Sequence, residues 1–372
     1  MNGHPILVAG GGIAGLAAAV GLARAGGDVL ILERAVVLEE VGAGLQLGPN
    51  AAQGLQALGA WDAVEAVTYA PPEIHIRDGR SGSLLQRIPL GAGFTRRFGA
   101  PYRVAHRADL QAGLLSVVKQ QRKIDLRLGQ EVRHLLDNTT SSVKVQTPQG
   151  TVTGSCLIAA DGVGSSIRQH LFPAHAAVAQ PYTINRALLP DVPVVDGVAM
   201  ECVNLWFLPE AHVVHYPVGR GRFNVVKVLD EPARAPQLTT ALARILDHVP
   251  AWSTWQSLCV PSLPVWHEKA VCLIGDAAHG TLPFLAQGAA MALEDAVALA
   301  ETDDRADPSG GFATFERLRK SRVERLDRQS RCLGGVYHAV GLKAAARNAA
   351  LKFLPGSMGL RSVKWIYARA SN

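Results

Sequence analysis

Apolar residues come in short solid runs at several points along the chain and in looser alternation elsewhere, and the two textures predict different elements. Pro5-Ile6-Leu7-Val8-Ala9 and Val29-Leu30-Ile31-Leu32 are unbroken apolar runs of strand length, the pattern of parallel strands buried on both faces. Between them, Ile13 to Ala25 is rich in Ala and Leu and stops at Gly26-Gly27, which predicts a helix. Solid runs recur at Cys156 to Ala160 and Ala270 to Ile274, and each leads through an aspartate-glycine turn into a predicted helix start. The alternating texture predicts strands over 74–79, 84–89, 198–208, 211–217 and 223–229. A helix from Ala108 to Gln121, a strand at Ile124 to Leu128 and a β-meander from Val132 to Val152 fill the interval, with no internal repeat.

Glycine placement sharpens the first of these junctions. Gly10-x-Gly12-x-x-Gly15 follows the first run directly: Gly10 allows a tight turn, Gly12 a close approach of backbone to a pyrophosphate, and Gly15 close packing of helix on strand. The helix N-terminus offers free amides and a positive dipole end to an anion. Glu33 ends the second run, where a carboxylate accepts hydrogen bonds from an adenosine ribose. Strand, turn, helix, strand and acid in register predict dinucleotide binding. The same logic recurs at Asp161-Gly162, with Ser165 or Ser166 as helix cap, and at Gly275-Asp276 ahead of the helix opened by Gln287-Gly288-Ala289.

Composition narrows the class. The 372 residues are 48% hydrophobic and 18% charged, with a net charge of +6, enough chain for two domains and a large core. Three adjacent glycines interrupt the first apolar run, which excludes a membrane span there. The five cysteines show no C-x-x-C spacing and sit in apolar runs, so buried free thiols, no metal site and a cytoplasmic location are expected. The basic excess lies after Gly311. It is expected on an exposed helical face, with Leu318, Val323 and Leu326 as an apolar stripe; without interleaved aromatics it predicts no nucleic-acid binding.

The three junctions in this order resemble the single-component flavoprotein aromatic hydroxylases of the p-hydroxybenzoate hydroxylase type. The resemblance rests on Gly10 to Glu33, Val41 to Asn50, His106-Arg107-Ala-Asp109-Leu110, Cys156 to Arg168 and Val271 to Asp295. Within the group the chain is most similar to 3-hydroxybenzoate 6-hydroxylases and salicylate hydroxylases; His212-Val-Val-His215-Tyr216-Pro217 and Gly335 to Gly341 point to the former. The implied fold is α/β: a Rossmann-like FAD-binding domain (1–70, 102–175, 262–330) interrupted by a mixed β-sheet substrate domain (71–101, 176–261), then a C-terminal helical region (331–372).

The resemblance also implies roles. Gly10, Gly12, Ile13, Ala14 and Gly15 would meet the FAD pyrophosphate, Glu33 and Arg34 the adenosine end, and Gln46, Arg107, Asp161 and Asp276 other parts of the cofactor. Gly288 and Ala289 would present amides to the flavin pyrimidine edge. His215 would be the base that deprotonates a substrate phenol, Pro283 would line the substrate site, and His279 would be structural. The implied reaction uses FAD, O2 and NAD(P)H as co-substrate to hydroxylate a small phenolic or heteroaromatic acid through a flavin C4a-hydroperoxide. A dehydrogenase, oxidase or halogenase on the same scaffold, or a non-catalytic FAD-binding protein, are the alternatives. Gly280 stands where the family usually has proline, which predicts extra backbone freedom there. Arg77, Arg80, Arg96, Arg97, Arg186, Arg220 and Arg222 are candidates to meet a substrate carboxylate. Substrate identity and oligomeric state, a homodimer included, stay open.

Overall fold

The computed structural model describes residues 3–38, 43–232, 236–353 and 363–368. Val41 and Gly42, part of one stretch singled out above, lie outside these residues, as does 354–362 of the expected C-terminal helical region.

The solid apolar runs form one six-stranded sheet. Its order is His267–Glu268, Val271–Leu273, Cys156–Ala159, Ile6–Ala9, Val29–Leu32, Ile124–Arg127, parallel throughout except for the first pair. The central strands are buried at every position, which is why their sequence shows no alternation. The helix Ile13–Arg24 packs on this sheet beside the helices Arg107–Gln120 and Gly288–Glu301. The expected meander is a three-stranded antiparallel sheet, His134–Asn138, Val143–Thr147 and Gly150–Gly154.

The alternating segments form a separate seven-stranded sheet. Its order is Ser253–Cys259, Val178–Leu189, Phe223–Asp230, Ala211–Pro217, Val203–Leu208, Glu73–Asp78, Leu84–Pro89, antiparallel except where Val203–Leu208 runs beside Glu73–Asp78. One face packs on the helix Thr240–Asp247 through Trp206, Val213, Phe223 and Val225. The strand expected over 198–208 begins only at Val203.

A single helix, Pro308–Tyr337, ties the two sheets together. It runs unbroken through the expected boundary at 330/331, with Gly334 packed against the ring of Phe284. Its arginine face also differs from expectation. Leu318 points outward, whereas Arg319 is 2% exposed and bonds Asp295 (2.8 Å) and Glu294 (2.6 Å) on Gly288–Glu301. Arg322 bonds Glu294 as well and caps the carbonyls of Trp365 and Ile366, holding the terminal turn Lys364–Tyr367 against the body. The carboxylates supplied by the neighbouring helix, invisible in the local pattern, turn these cations inward.

Burial raises the Asp295 carboxyl, but the charges of His279 and Arg319 and their hydrogen bonds outweigh it and hold it at about 2. A folded value below the unfolded one means the pairing stabilises the fold fully above about pH 4 and is lost as pH falls toward 2. Replacing Arg319 by Met leaves two buried carboxylates without the cation they share. Arg319→Met is therefore expected to lower unfolding free energy by about 3–5 kcal/mol at pH 7 in a urea titration, with the difference from wild type shrinking as the pH falls below 4.

Candidate functional site

Where the strand ends of the first sheet face the second sheet, the chain encloses a cavity of about 680 Å³. Its walls come from all three glycine- and aspartate-bearing junctions, and local backbone geometry explains each.

At the first junction Gly10 has φ +105°, a conformation L side chains rarely adopt, and a Cβ there would meet the Ala160 carbonyl at 2.5 Å. A Cβ on Gly15 would sit 1.9 Å from the Gly10 carbonyl oxygen, so only glycine lets the helix start this close to the strand. Gly12 and Gly288 are different: a Cβ at either would meet nothing within 4 Å, because both face the cavity. Glu33 lines the cavity and accepts from the backbone N–H of Gly11 and Ala35, the latter at 2.7 Å. These bonds fix its carboxylate at the mouth of the turn.

At the second junction Asp161 accepts from the backbone N–H of Ser166 at 3.0 Å, while Ser165 Oγ caps the helix Ser166–Leu171 through Arg168 N (2.9 Å). Among the described residues Asp161 Oδ1 has no hydrogen-bond partner; it is buried beside the cavity, and burial pushes its carboxyl upward. Arg168, fully buried, donates to the carbonyls of Ala277, His175 and Val163, joining the second junction to the third.

At the third junction Asp276 is exposed into the cavity, and its neighbour Gly275 donates its N–H to Asp295 at 2.9 Å. His279 is buried and bonds Asp295 at 2.6 Å, a structural role. Gly280 has φ −53° and ψ 119°, backbone angles that proline also adopts. Pro283, Gly288 and Ala289 line the roof, the last two at the N-terminus of Gly288–Glu301. Arg34, Gln46 and Arg107 complete the wall, with Gln46 accepting from Tyr102 OH.

The seven-stranded sheet supplies the floor, and strand alternation decides which side chains reach it. His212, Val214 and Tyr216 line the cavity, as do Val226 and Val228 on one neighbouring strand and Ile184 and Arg186 on the next. Register puts His212 opposite Val228 and Val228 opposite Ile184, so even-numbered residues of three strands share the face. His215 is odd. It is 0% exposed on the other face, opposite Val225, and its Nε2 accepts from Trp206 Nε1 at 2.8 Å. Burial, reinforced by the Arg77 charge, lowers it to about 3. The expectation that His215 reaches the substrate is therefore corrected: it lies three positions from His212 along the strand, an odd offset, and is turned into the rear core. His212 is the histidine in the cavity.

Of the candidate arginines only Arg186 lines the cavity; its charged form is disfavoured first by burial and also by Arg107, and Trp255 lies 5.6 Å beneath its guanidinium. Arg77 is spent on Asn204 and Gly197 behind the sheet, Arg220 and Arg222 on Asp109, and Arg80 on Gln237. Glu73, His75 and Cys202 also come together behind the sheet, but the 2.6 Å bond between His75 Nε2 and Glu73 occupies the inward atoms. Sequence reading missed Tyr216, Gln111 and Asn224. Gln111 Nε2 donates to Gly11 O (3.0 Å) and Asn224 Oδ1 accepts from Gly44 N (2.6 Å), and neither carries a local signal.

Among the described residues no helix is long and apolar enough to cross a membrane. The donor set suits a dinucleotide: open amides at two helix starts, a fixed carboxylate at the end of the second strand, and an exposed aspartate between. The comparisons agree. A 3-hydroxybenzoate 6-hydroxylase from Polaromonas naphthalenivorans is 32% identical over 98% of this chain and 95% of its own length. A 6-hydroxynicotinate 3-monooxygenase from Bordetella bronchiseptica is 30% identical over 89% of this chain and 91% of its own. Among solved structures, Klebsiella pneumoniae HpxO complexed with FAD and uric acid superposes with a TM-score of 0.85 at 23% identity, covering 99% of this chain and 97% of that one. A salicylate hydroxylase substrate complex gives 0.80 at 23% identity over 98% and 95%. The family described as FAD binding domain matches residues 4–326, and with this fold, this turn geometry and these relatives the chain belongs to it.

Proposed function

We propose that the protein is an FAD-dependent aromatic hydroxylase acting on a small phenolic acid with O2 and NAD(P)H, of the 3-hydroxybenzoate 6-hydroxylase or salicylate hydroxylase type. The observation that carries this reading is one continuous cavity that runs from Glu33, past three anion-facing turns, to an apolar floor with a histidine and an arginine on the strands either side of Phe223–Asp230. In this reading Gly10, Gly12, Ile13, Ala14, Gly15, Glu33, Arg34, Gln46, Arg107, Asp161, Asp276, Gly288 and Ala289 hold the cofactor. The discontinuous segments 1–70, 102–175 and 262–330 form its domain, and 71–101 with 176–261 form the substrate domain. Bound FAD supplies electron transfer from NAD(P)H and activation of O2.

The chain's own residues do the rest. Removing a phenol proton pushes electron density onto the ring carbon to be attacked, and His212 is placed for that general-base work. Its charged form is disfavoured by burial and then by His338, so it enters neutral and able to accept. Arg186 supplies a cation for the substrate carboxylate from the same floor. Phe284 and Tyr337 stack around His212 with centroids 5.4 Å away, and Val214, Val226 and Val228 complete a surface that keeps water out. The five unpaired cysteines, four of them buried, support a cytoplasmic location.

The test is NAD(P)H oxidation in air with and without 2-, 3- and 4-hydroxybenzoate, followed by product identification. One of them should stimulate oxidation and leave hydroxylated. A reaction that proceeds equally without oxygen would identify a dehydrogenase instead. His212→Asn is expected to slow hydroxylation about a hundredfold or more while FAD stays bound. His215→Asn should lower stability by about 1–3 kcal/mol through the lost Trp206 bond yet leave turnover per folded molecule near wild type; the reverse ranking contradicts the assignment. Arg186→Met should raise KM for the carboxylated substrate about tenfold or more and change kcat less. Equal effects on a phenol lacking the carboxylate would remove Arg186 from that role.

A further inference from the structure

Behind His212 the structure holds a chain of hydrogen bonds that the reaction above does not explain. His212 Nδ1 lies 2.7 Å from His338 Nε2, and His338 Nδ1 is bonded to Asp230 Oδ1. The three residues come from different places. His212 is on the floor strand Ala211–Pro217, Asp230 ends the adjacent strand Phe223–Asp230, and His338 caps the long helix Pro308–Tyr337. Burial grades along the chain: His212 and His338 are 5% exposed, whereas the Asp230 side chain is 37% exposed.

Resting on the reading of His212 as the base, we propose that His212, His338 and Asp230 form a relay that conducts the substrate's phenolic proton from the cavity floor to solvent.

Hydrogen-bond direction follows from the end of the chain. A carboxylate only accepts, so His338 donates from Nδ1 to Asp230, which leaves its Nε2 as an acceptor. His212 then donates from Nδ1 to His338, and its Nε2 keeps a free lone pair; among the described residues Nε2 has no hydrogen-bond partner. The carboxylate thus selects the tautomer of two imidazoles in series, and the basic nitrogen is the one not used within the chain. When a phenol O–H gives its proton to His212 Nε2, the Nδ1 proton of His212 passes to His338 Nε2. The Nδ1 proton of His338 then passes to Asp230, which releases it to water. One proton enters, one leaves and no electrons move. The same path run backward reprotonates the product phenol and resets both tautomers.

The surroundings favour this route over direct loss to water. The His212 ring is packed against Phe284, Tyr337 and His338, and Tyr182 closes on His338 with centroids 5.8 Å apart. The titratable and charged groups around the relay are few. Tyr337 comes from the long helix, Tyr182 from the floor, Arg347 from the helix Gly341–Phe353, and Arg331 acts on Tyr182. Burial, then the Arg347 charge, disfavours charged His338, while Asp230 opposes both. A proton therefore has no stable stopping place midway, which suits conduction more than storage.

The test uses the FAD-loaded enzyme under anaerobic conditions, mixed with the hydroxybenzoate that stimulates turnover. Two signals are followed in a weak buffer: ultraviolet absorbance of the phenolate, and proton release to an indicator dye. His338→Gln keeps an acceptor toward His212 and a donor toward Asp230 but cannot pass a proton. It is expected to slow phenolate formation and dye protonation together by about tenfold or more, with hydroxylation recovering at alkaline pH, where the substrate arrives ionised. Reduction of FAD by NAD(P)H should keep its wild-type rate. Asp230→Asn should lower the fraction of bound phenolate and shift its pH midpoint upward. If His212→Asn is slow but His338→Gln releases protons with the wild-type rate and pH profile, the relay is wrong and the base stands. If His212→Asn also forms phenolate normally, the base assignment and the relay both fall.

Discussion

One buried carboxylate fixes the geometry on which the site depends. Asp295 accepts from the N–H of Gly275, bonds His279 and pairs with Arg319. It thereby joins the turn that presents Asp276, the helix that presents Gly288 and Ala289, and the long helix that carries His338 to the second sheet. A charge without solvent is costly unless fully paired. Asp295 satisfies that condition only in one arrangement of the three elements, so the cost acts as a geometric specification. The cofactor wall and the proton path behind the floor are set by the same contact.

The second constraint is the alternation of a β-strand. Three neighbouring strands of the seven-stranded sheet turn Ile184, Arg186, Val226, Val228, His212, Val214 and Tyr216 to the cavity and the intervening residues to the core under the helix Thr240–Asp247. Such a floor is mostly apolar, with His212, Arg186 and the Tyr216 hydroxyl as its polar points, and an apolar site strengthens each electrostatic contact made inside it. His212 and Arg186 can then fix a phenolic acid at both ends while the hydrocarbon surface excludes the water that would compete for activated oxygen.

Legibility in the sequence followed how local the physics is. The turn at Gly10 to Gly15 was readable because only glycine fits φ +105° at one position and a 1.9 Å approach at another, and both demands fall within six residues. The buried parallel strands were readable because burial on two faces leaves a solid apolar run. His212 and His215 could not be told apart in the same way. The strand Ala211–Pro217 is buried on both faces, so its pattern carries no parity, and register came only from partners on other strands. Arg319 sat among arginines of a helix that looked solvated, and its inward turn came from carboxylates on another helix. His338 lies 126 positions from His212 and meets it only through the folded helix.

The central claim is that the cavity places the substrate's phenol against His212 with FAD held along the three turns. A crystal structure of the protein with FAD and the hydroxybenzoate that stimulates NAD(P)H oxidation measures this directly. The account predicts the phenolic oxygen within about 3 Å of His212 Nε2, the carboxylate on Arg186, and the flavin's pyrimidine edge at the amides of Gly288 and Ala289. A phenol lying elsewhere in the cavity, or one reaching His215 through a rearranged strand, would contradict it.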